Sequence, residues 1–94
     1  MRIDWTAPAR ADLLGIVDHV LQHNPRAAAS LEERISGAVA ALAEHPARGR
    51  PGRVAGTREL VIAGTPYIVP YRIRRDAVQV LRVLHGARRW PNRL

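Results

Sequence analysis

The residues best suited to chemistry lie near the C-terminal end of the chain. His85 lies at the end of the last predicted strand, and histidine is the side chain most easily tuned for proton transfer near neutral pH. The alternative is a partly buried histidine that is hydrogen-bonded to the backbone. Arg88, Arg89 and Trp90 follow it and form a basic tail with one aromatic ring. Such a tail predicts docking on nucleic acid or on the acidic surface of a protein. Packing of Trp90 back onto the sheet is the alternative.

Three further arginines are candidate binding residues. Arg50 lies in a loop of Gly, Pro and Arg over residues 47–53, Arg58 lies on a predicted strand, and Arg72 lies near the end of another. A guanidinium is a planar fork of donors that suits phosphate or carboxylate; the alternative is a set of solvated cations. Glu59 follows Arg58 on a strand and points to the opposite face, so we expect it to join a charge pair across the sheet.

The formal charge is unevenly divided along the 94 residues. Residues 1–47 hold four Arg and six acidic residues, whereas residues 48–94 hold eleven Arg and two acidic residues, and Lys is absent. Charge concentrated in one half of a small domain favours an anionic partner. Codon bias with charges that serve only solubility is the other interpretation.

Composition excludes several classes of protein. The absence of Cys excludes disulfides and thiolate metal sites. His19 and His23 have helical i, i+4 spacing but no evident third ligand, so neither a metal nor a cofactor is expected. No apolar run is long enough to cross a membrane, and an acid at position 4 does not suit a signal peptide. We expect a cytoplasmic protein with a single domain over residues 1–94.

The helices and strands that position these residues are predicted from the spacing of apolar residues and from the residues that begin or end helices and strands. The chain predicts a short strand over Arg2–Trp5, a helix over about 7–23 capped by Thr6, and a second helix between Asn24-Pro25 and His45-Pro46. Three strands are then predicted over Thr57–Ile62, Tyr67–Arg72 and Ala77–Leu84, the last as a central strand. Because Pro70 cannot donate to a ladder, its position predicts an edge or a bulge. The fold class is α+β in the order β-α-α-β-β-β, a helical hairpin packed on a mainly antiparallel sheet.

Three regions carry a resemblance to a known family. They are Trp5-Thr6-Ala7 leading to Asp12-Leu13, Gly49-Arg50-Pro51 continuing to Gly56–Leu60, and Tyr67–Ile73 with Val80–Val83 leading into His85–Arg88. In order and spacing the chain resembles toxins of the RelE/ParE superfamily of bacterial type II toxin–antitoxin systems.

The resemblance implies one of two activities. RelE-like members cleave mRNA on the ribosome, whereas ParE-like members poison DNA gyrase. The RelE-like third-strand motif often holds a phosphate-stabilising Arg where this chain has Ile68, which favours the ParE-like branch and a binding mode without catalysis. An mRNA interferase would use Arg58, Arg72, His85 and Arg88. An inactive member that serves only in autoregulation is a third possibility.

The resemblance also implies the partners. A cognate antitoxin neutralises such a toxin by wrapping it with a helix and a strand, and operator DNA is bound only through the antitoxin. We expect the toxin-binding segment of the antitoxin to be acidic and apolar, to match the basic half of this chain.

Overall fold

The computed structural model describes residues 1–94. The predicted order of elements is confirmed, with two additional strands of two residues each. The elements are β1 (Arg2–Trp5), α1 (Ala7–Leu21), α2 (Pro25–Ala40) with a 3-10 turn (Ala41–Ala43), β2 (Arg50–Pro51), β3 (Arg58–Val61), β4 (Tyr67–Arg74), β5 (Ala77–Val80) and β6 (Leu84–His85).

Side-chain caps begin both helices. Thr6 Oγ1 accepts from the Ala9 N–H at 3.2 Å, and Asn24 Oδ1 accepts from the Ala27 N–H at 3.1 Å. A proline lies in the first turn of each helix, where its missing N–H costs nothing. Helix α1 ends at Leu21, two residues before the predicted end, because the chain turns there to place Asn24 as the cap of α2.

The sheet is open, mixed and mostly antiparallel. Its order is β1-β5-β4-β3-β2; β1 pairs with β5 in parallel, and the other pairs are antiparallel. Strand β5 therefore lies between two neighbours, as predicted. One face packs against the helices and forms the core, which is made chiefly of aliphatic residues and Tyr71: Ile35, Val39, Leu42, Leu60, Ile62, Val69, Tyr71, Val78, Val80 and Val83.

A β-bulge interrupts the last predicted strand. The prediction of one strand over Ala77–Leu84 was wrong, because the N–H groups of both Leu81 and Arg82 approach the carbonyl of Pro70, at 3.0 and 3.5 Å. Pairing resumes one residue out of register at β6, where Leu84 opposes Ile68. Pro70 thus lies in an interior strand, with its missing N–H facing the bulge. The bulge interpretation is confirmed and the edge interpretation is wrong.

The basic loop is more ordered than the sequence suggested. Residues 47–53 contain β2, which pairs antiparallel with β3. The buried phenol of Tyr71 holds the start of this loop: its O–H donates to the Pro46 carbonyl at 2.7 Å and its oxygen accepts from the Gly49 N–H at 2.8 Å. A Cβ at Gly49 would lie 2.6 Å from the Tyr71 ring, so this close approach requires glycine.

Neither helix combines the length and the apolar character that crossing a membrane would require.

Candidate functional site

The uneven charge along the sequence becomes, in the folded protein, an uneven charge between the helical layer and the sheet layer. The helical segment, residues 7–44, carries three Arg and five acidic residues. The sheet and its loops carry the other twelve Arg and only three acidic residues. The sheet layer is therefore the part of the molecule suited to an anionic partner.

A cleft of about 520 Å³ lies between α1 and the C-terminal tail. Four of the predicted site residues line it together: His85, Arg88, Arg89 and Trp90. Its other wall comes from α1, with Ile16 and His19 among the lining residues. We call this feature the tail cleft.

His85 is held in one orientation at the tail cleft. Its Nδ1 accepts from the Ala87 N–H at 3.2 Å, and its ring packs edge-on against Tyr67 with ring centroids 5.8 Å apart. Because Nδ1 acts as an acceptor, the proton of the neutral ring is assigned to Nε2. Neutral His85 therefore offers a hydrogen-bond donor at Nε2.

Asp12 of α1 fixes the other wall of the tail cleft to the bulge. Its carboxylate accepts from Arg82 Nε at 2.6 Å, from Arg82 Nη2 at 2.9 Å and from the Val83 N–H at 3.0 Å. The hydrogen bond to Asp12 raises the pKa of Arg82 above its ordinary value, against the opposing effect of burial. The helix and the bulge, 70 residues apart in sequence, are thus held together by a charged contact.

Glu59 joins the basic loop to the sheet, which confirms the predicted charge pair. The side chain is 3% exposed and accepts from the Arg53 N–H at 2.8 Å, from Arg53 Nε at 3.1 Å and from Arg50 Nη2 at 3.2 Å. Burial acts to raise the pKa of this carboxyl. The hydrogen bonds from Arg53 and Arg50 more than offset that effect, so the pKa lies below its ordinary value.

Arg53 also connects this cluster to the tail. Its guanidinium lies 3.4 Å from the centroid of the Trp90 ring, and Trp90 Nε1 donates to the His85 carbonyl at 3.1 Å. Trp90 is thus partly packed and partly available in the tail cleft. Arg50, a predicted site residue, reaches the cleft only indirectly, through Glu59 and Arg53.

Arg58 and Arg72 lie apart from the tail cleft and from each other. Arg58 is paired with Tyr71 and therefore points to the helix side of the sheet, where its Nη1 donates to the Gly49 carbonyl at 2.8 Å and the Ala47 carbonyl at 3.3 Å. Arg72 points to the open face and donates to Gln79 at 2.6 Å. The structure brings together four of the seven predicted residues.

Four contributing residues were missed as site residues: Asp12, Tyr67, Arg53 and Arg82. Asp12 and Tyr67 stood only within the motifs of the resemblance, and Arg53 within the basic loop. No local signal identified Arg82, because its partner is distant in sequence. The rings of His19 and His23 lie 5.3 Å apart, and no group of three or more metal-ligating side chains is present.

The sequence and the fold of this chain can be compared with those of known proteins. The family model described as the ParE toxin of the type II toxin–antitoxin system parDE matches residues 3–90. The chain belongs to the ParE toxin family. The resemblance drawn from the three sequence regions is therefore confirmed.

Individual relatives of this ParE-family toxin agree with that assignment. It is 52% identical over 90 residues to the candidate toxin Y4kP of Sinorhizobium fredii, with 96% of this chain and 93% of that protein covered. It is 39% identical over 87 residues to toxin RelE2 of Caulobacter vibrioides, with 93% of this chain and 97% of that protein covered. A solved chain of the chromosomal ParDE toxin–antitoxin system from P. aeruginosa is 32% identical with a TM-score of 0.82, covering 90% of this chain and 95% of that one. The protein is a type II toxin of the ParE/RelE kind, and its family works with an antitoxin partner.

Proposed function

We propose that this toxin inhibits growth by binding a DNA topoisomerase, with gyrase as the first candidate, and that it performs no catalysis of its own. The observation that carries the proposal is the separation of the residues that a nuclease would use. Cleavage of RNA without a metal requires a base, a charge stabiliser and an acid that converge on one phosphate.

The four residues of the nuclease hypothesis do not converge. Arg58 is opposite Tyr71 of β4, whereas His85 is opposite Tyr67, four residues or roughly 13 Å along the strand. Arg72 lies on the other face of the sheet. The Arg58 guanidinium also already holds two carbonyls of the basic loop, which is a structural role.

Ile68 and His85 support the same conclusion. Ile68 occupies the position at which RelE-like toxins often hold an arginine, and it is 8% exposed and contributes apolar packing. A Cβ at Gly86 would lie 2.9 Å from Ile68 Cδ1, so this side chain packs closely against the turn after β6. His85 Nδ1 already accepts from the Ala87 N–H, which leaves the proton-bearing Nε2 as the other ring nitrogen, an arrangement that suits donation to an anion better than proton abstraction.

The target-binding surface that we propose is the tail cleft and the cluster joined to it. Arg88, Arg89, His85 and Trp90 would contact the target directly, while Arg50 would act from the neighbouring loop. Arg58 and Arg72 contribute charge to the same sheet layer. A charged surface of this kind would steer the toxin to an acidic region of the target and speed association.

The antitoxin that we propose as partner would cover exposed apolar residues. Leu14 and Leu21 are 70% and 48% exposed on α1, two turns apart and on one face. Val61 is 50% exposed on β3, where the two-residue β2 leaves the edge uncovered. A helix on the former and a strand on the latter would use these features, with operator DNA bound through the antitoxin and the complex in the cytoplasm.

A ribosome-dependent mRNA interferase is the second candidate. The observation in its favour is that the tail cleft gathers His85, Tyr67 and Arg88, an imidazole, a phenol and a cation. Relatives in Caulobacter vibrioides are also named RelE toxins.

A pair of assays run side by side distinguishes the two candidates. Purified toxin would be added to a gyrase supercoiling assay and to a ribosome-programmed mRNA cleavage assay. We expect loss of supercoiling or accumulation of cleaved DNA, with mRNA intact. Arg88→Ala should raise the inhibitory concentration about tenfold, which corresponds to about 1.4 kcal/mol.

Arg26→Ala is the matched control, because Arg26 is an exposed arginine on α2 that makes no ion pair. Codon-positioned cuts in mRNA with gyrase unaffected, and their loss in His85→Ala and Arg88→Ala, would overturn the proposal in favour of the interferase. Inactivity in both assays would overturn it in favour of a member that serves only in autoregulation.

A further inference from the structure

A second basic surface lies on the open face of the sheet, at the end formed by the β4–β5 hairpin. A shallow cleft of about 270 Å³ is lined there by Arg2, Arg74, Arg75 and Gln79, with Asp4 and Ala77. Arg72 donates to Gln79 and so borders the same cleft. We call this feature the hairpin patch.

Most of the positive charge of the hairpin patch is unpaired. Arg2 donates to both oxygens of Asp4, at 3.0 and 3.1 Å, but Arg72, Arg74 and Arg75 make no ion pair. The acids nearby are Asp4 and Asp76 of the turn, so four guanidinium groups face two carboxylates. These guanidinium groups are therefore free to bind an anion from outside the protein.

The backbone at Arg75 is unusual. Strand residues Arg74 and Ala77 are paired, and the two-residue turn between them begins at Arg75 with φ +58°. Glycine or asparagine ordinarily occupies such a position, because a larger side chain is strained there. An exposed arginine in this strained conformation points to a function for its side chain.

From these features we infer that the hairpin patch binds the phosphate backbone of duplex DNA. Arg72 and Arg74 point to the same face of β4, roughly 7 Å apart, and can meet successive phosphates of one strand. Contacts of this kind carry no sequence information, so they differ from operator recognition through the antitoxin. The inference rests on the proposed function to the extent that a topoisomerase works on duplex DNA, so a toxin bound to one would meet DNA as well as protein.

The composition of the hairpin patch favours DNA over an acidic protein. Stable protein–protein interfaces centre on apolar and aromatic residues and are depleted of charge there. The lining residues include no large apolar side chain, and Ile73, which is exposed nearby in sequence, points to the opposite face of the sheet. Protein–DNA interfaces, in contrast, are polar and strongly positive.

Binding of the purified toxin to a fluorescent duplex, measured by anisotropy at several salt concentrations without gyrase, tests the inference. Phosphate contacts made by Arg72, Arg74 and Arg75 predict that log Kd rises with the logarithm of the salt concentration with a slope of about 3. Arg74→Ala combined with Arg75→Gly should lower the slope by about 2 and weaken binding at least about tenfold at low salt. Glycine suits the positive φ, so this variant keeps the turn.

Arg10→Ala combined with Arg26→Ala is the control, since it removes the same charge from exposed positions on the helical layer. Arg74→Gln with Arg75→Asn is a second patch variant, because asparagine also accepts a positive φ. Each variant would be melted to verify that it folds.

Three results would overturn the inference: no salt-dependent binding by the wild-type toxin, equal losses in the patch and control variants, or retained DNA binding with loss of antitoxin binding in the patch variants. The last would assign the patch to a protein partner. The two proposals can be refuted separately. If the wild-type toxin inhibits gyrase but does not bind DNA, only this inference is refuted. If the hairpin patch binds DNA but the toxin has no effect on gyrase, only the proposed function is refuted.

Discussion

At the scale of single residues, Glu59 has the largest structural task. It is one of three acidic residues in a layer with twelve arginines, and the only one that is buried. Its carboxylate accepts hydrogen bonds from the backbone N–H and the guanidinium of Arg53 and from the guanidinium of Arg50. Because Arg53 in turn stacks on Trp90, this carboxylate links the basic loop to the tail cleft.

The lowered pKa of Glu59 predicts a pH-dependent stability. A carboxyl whose pKa is lower in the folded state stabilises that state at pH above its ordinary value of 4.5, and the contribution disappears as pH falls through the folded-state value. Glu59→Gln should lower the free energy of unfolding at neutral pH by about 1–2 kcal/mol, and the difference from wild type should shrink as pH falls below about 4.5.

Thermal unfolding across pH measures this effect. Glu33→Gln, at an exposed residue of α2 without an ion pair, is the control and should follow the wild type. A constant difference between wild type and Glu59→Gln at every pH would contradict the assigned ionisation.

At the scale of elements, the bulge determines where the tail goes. The extra residue opposite Pro70 bends the last strand and shifts its pairing, which brings His85 opposite Tyr67. Asp12 secures this geometry by binding Arg82 and the Val83 N–H within the bulged segment. The walls of the tail cleft are therefore held by this charged contact, together with the hydrogen bond from the hydroxyl of Thr6, the cap of α1, to the Leu81 carbonyl at 2.9 Å.

Removing either partner of that contact should destabilise the protein unequally. Asp12→Ala leaves a partly buried guanidinium and a backbone donor without their acceptor, so we expect a loss of about 2 kcal/mol in the free energy of unfolding. Arg82→Ala leaves the carboxylate its bond to Val83 and should cost about 1 kcal/mol. Urea unfolding of both variants and of the double variant should give a coupling energy of about 1 kcal/mol.

Asp18→Ala, at an exposed acid of the same helix without a side-chain partner, should change stability by less than about 0.5 kcal/mol. Additive effects of the two substitutions would show that the contact does not contribute as a pair.

At the scale of the whole molecule, the two layers have opposite charge. The acidic helical layer and the basic sheet layer give the protein a strongly directional field. An antitoxin that approaches the sheet layer with an acidic segment would be steered by that field.

This arrangement predicts that association with the antitoxin depends on salt. Raising ionic strength from low to physiological values should slow association about tenfold while changing dissociation little, because long-range attraction acts on the encounter. Neutralising acidic residues of the toxin-binding segment should have the same effect in stopped-flow measurements. Neutralising acids elsewhere in the antitoxin provides the control, and an association rate indifferent to both salt and these substitutions would contradict the prediction.

The sequence by itself determined the local features. The cap at Thr6 marked the start of the first helix, Asn24-Pro25 marked its end, and Pro70 predicted either an edge or a bulge, because each of these depends on neighbouring residues only. The alternation of side chains along a strand placed Arg58 and Glu59 on opposite faces of the sheet. The order and spacing of the motifs were sufficient for the family.

Only the tertiary structure decided which functional candidates meet. The contact of Asp12 with Arg82, the stacking of Arg53 on Trp90 and the distance between Arg58 and His85 depend on strand register and on packing between segments far apart in sequence. A shift of one residue at the bulge changes which side chains share a face and an end of the sheet. The types of side chain indicated which chemistry is possible. The register of β4 with its neighbouring strands determines which of these side chains lie in the tail cleft and which lie in the hairpin patch.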